Sequence, residues 1–274
     1  MGQTRPEQNG PPPQVTTGIE GFSFVVPTEF VELPSQGRFY PEGHSLHGKD
    51  TIEIKQMTAK EEDILVNRSY IRNGSVIEKV LQSVIIDKSI NTSGLLVGDR
   101  NAIIVAMRIT GYGNDYETKV SCPECGTKQK YSFDLLNANV DYGLRAEGLG
   151  VVDNEDGTFD CVLPKTQINV TFKILSGADE KQFLQSIGKK SNSAGSIITS
   201  QLKSMIVAVN GDTTRKAIDY VIHNMPSIDS RHLRLVYRLT APNIDLSHDF
   251  ICNNCDYEQE VEVPLGADFF WPER

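Results

Sequence analysis

Apolar and polar side chains alternate with a period of two along the first part of the chain, which is the pattern of extended strands. The alternation is regular in three stretches, residues 22–27, 30–34 and 51–55. We therefore predict an extended segment over residues 18–57, with a turn-rich loop at 35–48. Residues 1–17 hold three consecutive prolines and almost no large apolar side chains, so they are predicted to be a flexible tail.

The spacing of the apolar residues changes to that of helices at Thr58. Thr58 and Glu61 have the spacing of a capping box, in which a hydroxyl and a carboxylate satisfy backbone amides at a helix start. Helices are predicted at residues 58–69, 75–86 and 99–111. Residues 58–113 are thus predicted to form a helical region.

Two pairs of cysteines come later in the chain, each with two residues between its members. They are Cys122 with Cys125 and Cys252 with Cys255, and strand-like segments flank each pair. Two such turns can point four thiolates at one ion, so the sequence predicts a tetrahedral zinc site made by all four cysteines. The site is predicted to be structural, because four protein ligands leave no open position for a substrate.

The two pairs lie far apart, with 126 residues between Cys125 and Cys252, against roughly 15–20 in a compact zinc ribbon. We therefore predict a split ribbon, with its first half at residues 114–140 and its second half, followed by an aromatic C-terminus, at 245–274. The alternatives are a pair of local disulfides or a redox dithiol. Cys161 lies in a strand-like run and is predicted to be a small buried residue without chemistry.

The region between the ribbon halves, residues 141–244, is predicted to be an inserted meander followed by helices. Asp156 and Gly157 give a strong hairpin-turn signal between two strand-like runs, and a third strand is predicted at 167–175. Helices are predicted at residues 178–187, 196–209, 213–223 and 230–240. The predicted fold class is α+β: a split four-cysteine zinc ribbon with a large α+β insertion, an extended N-terminal segment and an N-terminal helical group.

Composition narrows the possible functions. The chain has 274 residues, of which 39% are apolar, and this is enough for a sizeable core. Its net charge of −9 argues against nucleic-acid binding, which requires a basic face. No run of eighteen apolar residues and no secretory signal is present, so we expect a protein kept in the cytosol, where thiols stay reduced.

No catalytic constellation is found, and we predict that the protein is not an enzyme. The sequence has no phosphate-binding loop, nucleophile elbow or HExxH motif. His44 and His47 lie three residues apart, but no carboxylate or cysteine cluster accompanies them, and no metal is predicted there. The acidic run at 153–157 lacks the closing carboxylate of a calcium loop, so a turn is predicted. The remaining histidines are isolated: His223, His232 and His248.

Two aromatic segments are candidates for protein–protein contact. The loop residues Arg38, Phe39 and Tyr40 are of the types that anchor interfaces when they are exposed. Near the C-terminus, three aromatic residues stand together at 269–271, and we expect them to dock either on the chain's own core or on a neighbour.

Four longer strings resemble a known family. They are LPSQGRFYPEGHSLH at 33–47, IEIKQMTAKEEDIL at 52–65, PSIDSRHLR at 226–234 and EVEVPLGADFFWP at 260–272. In these strings the chain is similar to baseplate hub and hub-assembly proteins of T4-like contractile-tailed phages. The resemblance implies a late structural or assembly subunit of the tail baseplate. Its implied partners are other hub subunits and the tape-measure protein, with no nucleic acid, membrane or small-molecule substrate.

Two other functions remain as alternatives. A zinc-ribbon nucleic-acid-binding or regulatory protein would use the same four cysteines, although the net charge opposes it. A phage-encoded hydrolase would use the histidine loop. The leading hypothesis is a hub subunit that acts by docking in the host cytoplasm and in the virion tail, with one structural zinc ion.

Overall fold

A computed structural model describes residues 14–19, 22–146, 148–188, 197–263, 265 and 267–270. Its first sheet contains β1 (Gln14–Ile19), β2 (Phe22–Glu32) and β3 (Thr51–Lys55), all antiparallel, with β2 in the middle. Residues 14–17 therefore belong to a strand, whereas the sequence predicted them to lie at the C-terminal end of a flexible tail. Residues 1–13 of that tail lie outside the described residues.

A single strand crosses Pro27, where the sequence predicted two. Proline lacks a donor for a sheet, but its carbonyl can still accept. Here the carbonyl oxygen of Pro27 accepts from the backbone N–H of Gln56 at 2.9 Å, so β2 continues past it to β3.

The helical region has four helices: α1 (Ala59–Leu65), α2 (Arg68–Arg72), α3 (Val76–Val84) and α4 (Val97–Tyr112). The prediction of one helix over residues 58–69 is wrong at its C-terminal end, because the first helix ends at Leu65. The Asn67 side chain accepts hydrogen bonds from the backbone N–H groups of Ser69 and Tyr70, and this cap begins a new helix.

The insertion contains a four-stranded antiparallel sheet in the order β10-β9-β8-β7. Its strands are β7 (Val151–Asp153), β8 (Thr158–Val162), β9 (Asn169–Lys173) and β10 (Ile206–Val209). Its helices are α5 (Gly177–Gly188), α6 (Ile197–Met205), α7 (Arg215–Asn224) and α8 (Ser227–Thr240). The helix predicted at 196–209 is therefore too long, because its last four residues pair with β9 as a strand.

Two further hairpins and one short pairing complete the fold. The first hairpin joins β4 (Asp115–Ser121) to β5 (Lys128–Asp134). The short pairing joins β6 (Asn139–Asp141) to β11 (Asn243–Asp245), which brings the two ends of the insertion side by side. The second hairpin joins β12 (Ser247–Ile251) to β13 (Glu258–Glu262).

The predicted aromatic contact segments lie largely in the protein's own core. Phe269 and Phe270 are buried at 0% and 1% exposure, and Trp271 lies outside the described residues. The guanidinium of Arg108 in α4 donates to the carbonyl oxygens of Phe269 at 3.2 Å and Gly113 at 2.7 Å, which ties this segment to the end of α4. These two phenylalanines are therefore not available to a partner.

The loop at 35–48 is anchored by a buried carboxylate. Asp99 accepts hydrogen bonds from the backbone N–H of Ser35 at 2.9 Å, from its hydroxyl at 2.6 Å and from the Tyr40 hydroxyl at 2.7 Å. Burial raises the pKa of Asp99, although the hydrogen bonds from Ser35 and Tyr40 oppose this shift. Phe39 and Tyr40 are buried, so the predicted interface role of these two aromatics is wrong.

Glu61 gives the helical region a pH-dependent stability. Its buried carboxylate accepts from Lys55 Nζ at 2.7 Å, Ser83 Oγ at 2.5 Å and the Thr58 hydroxyl at 2.7 Å. Burial alone would raise the pKa of Glu61, but these bonds outweigh it and lower the pKa to about 2.

We predict that Glu61→Gln loses about 3 kcal/mol of stability at pH 7. Because the folded pKa is depressed, this stability is present above the unfolded value of 4.5 and is lost as the pH falls toward about 2. Urea unfolding of both proteins between pH 7 and pH 2 measures the difference. Asp63→Asn, an exposed carboxylate on the same helix, is the matched control. A constant difference at all pH values would contradict the assignment.

Candidate metal centre

The four cysteines of the two CxxC turns meet at one point. Their Sγ atoms all lie within 4.8 Å of one another. Two pairs cross between the hairpins, Cys122 with Cys255 at 3.7 Å and Cys125 with Cys252 at 3.6 Å. A tetrahedral ion with zinc–sulfur bonds of about 2.3 Å sets its sulfurs about 3.8 Å apart. The cysteines are free thiols, so the local disulfides considered above are not formed, and the cluster could hold a metal ion.

The two turns that carry the cysteines are built alike, 130 residues apart. In the first, the Cys122 N–H donates to Thr127 O at 2.9 Å and the Gly126 N–H donates to Cys122 O at 2.9 Å. The second repeats both bonds around Cys252, at 2.9 and 3.0 Å. The residue after each second cysteine is left-handed, with φ of +71° at Gly126 and +54° at Asp256. The sequence marks the first position by its glycine and gives no such signal at the second.

Side chains of the first hairpin hold the second hairpin by hydrogen bonds. The side-chain amide of Gln129 donates to Ile251 O at 2.9 Å and accepts from the Asn253 N–H at 2.8 Å. The Tyr131 hydroxyl donates to Asp249 O. The hairpins therefore have contacts with each other in addition to their cysteines.

An aromatic layer fills the space between the hairpins. Tyr131 lies 5.6 Å from Phe250 and 4.8 Å from Phe133, measured between ring centroids. His248, isolated in sequence, packs edge-on against Phe133 at 5.1 Å, and its Nδ1 lies 3.0 Å from Leu246 O. His248 therefore packs in the aromatic layer between the hairpins. No sequence signal indicates this contact, because His248 and Phe133 are far apart in the chain.

The thiols of the cluster differ in their surroundings. Cys122 and Cys252 are buried, whereas Cys125 and Cys255 are exposed. The Thr127 hydroxyl, 3.2 Å from Cys125 Sγ, contributes most to lowering the pKa of that thiol to about 5. The backbone N–H of Tyr257 lowers the pKa of Cys255, but desolvation and the neighbouring sulfurs raise it to about 12. Adjacent thiolates repel each other, which disfavours deprotonation of all four cysteines at once. A bound cation would offset this repulsion, so that all four cysteines could bind it as thiolates.

The other candidate residues are not assembled into a site. His44 Nδ1 accepts from the Leu46 N–H at 3.1 Å, and its ring stacks on Tyr40. His47 Nδ1 lies 2.7 Å from Tyr40 O. Cys161 is fully buried, and burial raises its pKa to about 11.

The acidic run at 153–157 forms a turn. Asp153 accepts from the Glu155 N–H at 2.8 Å and Asp156 from the Thr158 N–H at 2.9 Å. Within the ranges that the structure describes, the four cysteines are the one group of three or more metal-ligating side chains that lie together.

Comparison with known families identifies the chain. The family described as T4 bacteriophage base plate protein matches residues 27–271. The chain belongs to this family. As a member of this family, the chain associates with other phage baseplate proteins in the virion tail, and its role is structural. No curated protein and no solved structure gave a significant match. Among the described residues of this base plate protein, no helix has the length and apolar character needed to cross a membrane.

We predict that Gly126→Ala lowers the free energy of unfolding by about 1–2 kcal/mol, because an L-residue is strained at a left-handed φ. A Cβ at Gly126 would meet nothing within 4 Å, so the cost is conformational. Gly94→Ala is the control, since Gly94 has no left-handed φ and its Cβ would only touch His44 at 4.0 Å. Asp256→Gly should stabilise, by up to about 1 kcal/mol. Urea unfolding measures all three variants, and equal effects of the two alanines would contradict the prediction.

Proposed function

We propose that this protein is a structural or assembly subunit of the baseplate hub, in which one structural zinc ion joins the two halves of a split zinc ribbon. The observation that supports this most is the meeting of four thiols from two turns with 126 residues between them, in a chain of the base plate family. The proposed ligands are Cys122, Cys125, Cys252 and Cys255.

The proposed role of zinc is mechanical. Four thiolates around one ion saturate its coordination, so the ion supplies a cross-link between the hairpins and leaves no position for a substrate. The chain's own groups complete the site: backbone amides at both turns order the loops, and the Thr127 hydroxyl lies beside Cys125. A tetrahedral set of four sulfurs also suits iron, so the test must identify the metal.

We propose that the subunit works by docking with other hub subunits and with the tape-measure protein, first in the host cytoplasm and then in the virion tail. Because Phe39, Tyr40, Phe269 and Phe270 are core residues, the docking surface must lie elsewhere. In the N-terminal third the best candidate is β2, where Phe30 keeps 57% of its surface exposed.

The alternative is a zinc-ribbon protein that binds nucleic acid. It is favoured by one observation, a row of exposed lysines on the first hairpin: Lys119, Lys128 and Lys130. The net charge of −9 opposes it. Binding to duplex DNA with an affinity that falls steeply with salt would support this alternative.

We predict that Cys122→Ser and Cys252→Ser each abolish metal binding and lower the melting temperature sharply. Structural zinc is coupled to folding by on the order of 10 kcal/mol, and three thiolates hold the ion far less tightly than four. Elemental analysis of reduced protein should give about one zinc per wild-type chain. Cys161→Ser should keep the metal. If either ligand variant kept its metal and its melting temperature, the zinc proposal would be wrong. If the wild type contained iron, the four cysteines would still be a metal site, but the metal would not be zinc.

If the protein is a hub subunit, we predict that other phage tail proteins bind it in infected cells. A tagged chain should recover other tail proteins, whereas an unrelated phage protein with the same tag should not. Mass spectrometry of the recovered proteins makes the test. Recovery of no tail protein at any stage of infection would contradict the hub role and leave the metal site unaffected.

A further inference from the structure

The long strand β2 is paired along only part of each of its two edges. On one side β1 pairs with residues 22–27, and on the other side β3 pairs with residues 28–32. On the side of β3, residues 22–26 therefore have no neighbouring strand among the residues that the structure describes. We call the β3 side of residues 22–26 the free edge.

The backbone groups of Ser23 and Val25 point out of the free edge. In an antiparallel strand the N–H and C=O of one residue face the same side, and successive residues alternate between the two sides. The carbonyl oxygen of Pro27 accepts from the Gln56 N–H at 2.9 Å, so Pro27 faces the side of β3. Val25 and Ser23 precede Pro27 by even numbers of residues and face the same side. An added strand would pair with their N–H and C=O groups.

A groove of about 910 Å³ lies beside the free edge, where the chain passes from β3 into α1. Val25 and Val26 of β2 line one part of it, residues 55–58 line another, and the end of α3 completes it. Val25 is 42% exposed. An extended segment that lies in this groove would therefore reach the backbone groups of the free edge and continue the line of β3.

The groove carries an excess of positive charge. Lys55, Lys60 and Lys88 line it, and no aspartate or glutamate is among the described residues that do. Lys55 pairs with the buried carboxylate of Glu61 at 2.7 Å, but Lys88 donates to three backbone carbonyl oxygens, which carry no net charge, and Lys60 is exposed on α1. Burial and then Lys55 and Lys60 lower the pKa of Lys88, and Glu61 opposes this with a smaller effect. One carboxylate therefore does not neutralise the three lysines.

This charge decides between the possible occupants of the groove. A second copy that paired its own free edge here would bring two sets of lysines together, and like charges oppose such a contact. The chain's own residues 1–13, 189–196 and 271–274 contain no excess of carboxylates over basic residues. An acidic segment of a different protein suits both the unpaired backbone groups and the lysines.

We propose that the free edge of β2 binds an extended, acidic segment of another protein, which adds to the sheet as a strand beside Ser23 and Val25. In strand addition, backbone hydrogen bonds supply affinity and alternate side chains supply specificity. Here the carboxylates of the partner would lie near the lysines of the groove. The inference gives a partner chemistry to the docking role proposed above, on which it rests, and it does not involve the metal centre.

Peptide binding to the purified full chain tests the proposal. The probe is a capped peptide of alternating glutamate and valine, about eight residues long. Its control has lysine in place of every glutamate. Isothermal titration calorimetry at about 50 mM salt should detect binding of the acidic peptide and not of the basic one. The affinity should fall at about 500 mM salt, where screening shortens the range of charge interactions.

Methylation of the peptide's backbone nitrogens separates strand pairing from charge attraction alone. Every second N–H of a strand points to the same edge. Methylating all valine nitrogens therefore blocks one edge of the peptide, and methylating all glutamate nitrogens blocks the other. One of these two peptides should bind at least about tenfold more weakly, because it loses its hydrogen bonds to β2, and the other should keep its affinity. Equal binding of both would show that no strand is added.

Two variants of the protein test the two features of the site. Val25→Pro removes a donor from the free edge and should weaken binding of the acidic peptide about tenfold. The N–H of Val25 faces away from β1, so the pairing with β1 is kept, and Val25→Ala, which keeps the donor, is its control. Lys60→Glu should weaken binding at least about fivefold, because it places a carboxylate in the groove. Glutamate is favourable in the first turn of α1, and Lys216→Glu on α7 is the charge-matched control.

Several results would overturn the proposal. They are failure of the acidic peptide to bind, equal binding of the basic peptide, or unchanged binding to Val25→Pro. Binding of a duplex DNA probe that is lost with Lys60→Glu, without binding of the acidic peptide, would assign the groove to nucleic acid instead.

Recovery of tail proteins by the tagged chain distinguishes this inference from the hub role. A chain that recovers tail proteins but does not bind the acidic peptide would reject strand addition at the free edge alone. A chain that binds the peptide but recovers no tail protein would reject the hub role, and with it a tail protein as the partner.

Discussion

Joining two hairpins that lie far apart in sequence is the constraint on which the architecture depends. The 126 residues between Cys125 and Cys252 must be closed into a loop, at an entropic cost that grows only slowly with loop length. Two kinds of contact offset this cost together: the hydrogen bonds of Gln129 and Tyr131 between the hairpins, and the β6–β11 pairing at the base of the insertion. An ion held by the four thiols would add a third. Because the ends are fixed, the insertion can fold as a large unit between them.

The long helix α4 connects the hairpins to the rest of the chain. Arg108 near the end of α4 donates to carbonyl oxygens of Gly113, Asp115 and Phe269, which belong to the start of the first hairpin and to the C-terminal segment. Asp99 at the other end of α4 holds the N-terminal loop through Ser35 and Tyr40. The buried polar groups of one helix therefore position three separate parts of the chain, which explains why these charged residues are tolerated inside the core.

Local signals in the sequence were sufficient for the cysteine turns and for most elements, because CxxC spacing, capping residues and Asp-Gly turns act over a few residues. The errors lie where distant contacts decide. Residues 206–209 are a short apolar run that suits a helix or a strand, and pairing with β9 selects the strand. Tyr40 is buried because it reaches Asp99, 59 residues away. Asp256 takes a left-handed conformation that the turn imposes on a residue other than glycine.

Net charge also hides information that only the paired hairpins make visible. A value of −9 describes an acidic protein, yet the first hairpin carries exposed lysines at 119, 128 and 130, where the second hairpin carries Asp249, Glu258 and Glu260. The aromatic layer of Tyr131, Phe133 and Phe250 fixes how the two hairpins pack against each other. The aromatic contacts and hydrogen bonds that join the two hairpins therefore also decide on which side of each hairpin its charged residues lie.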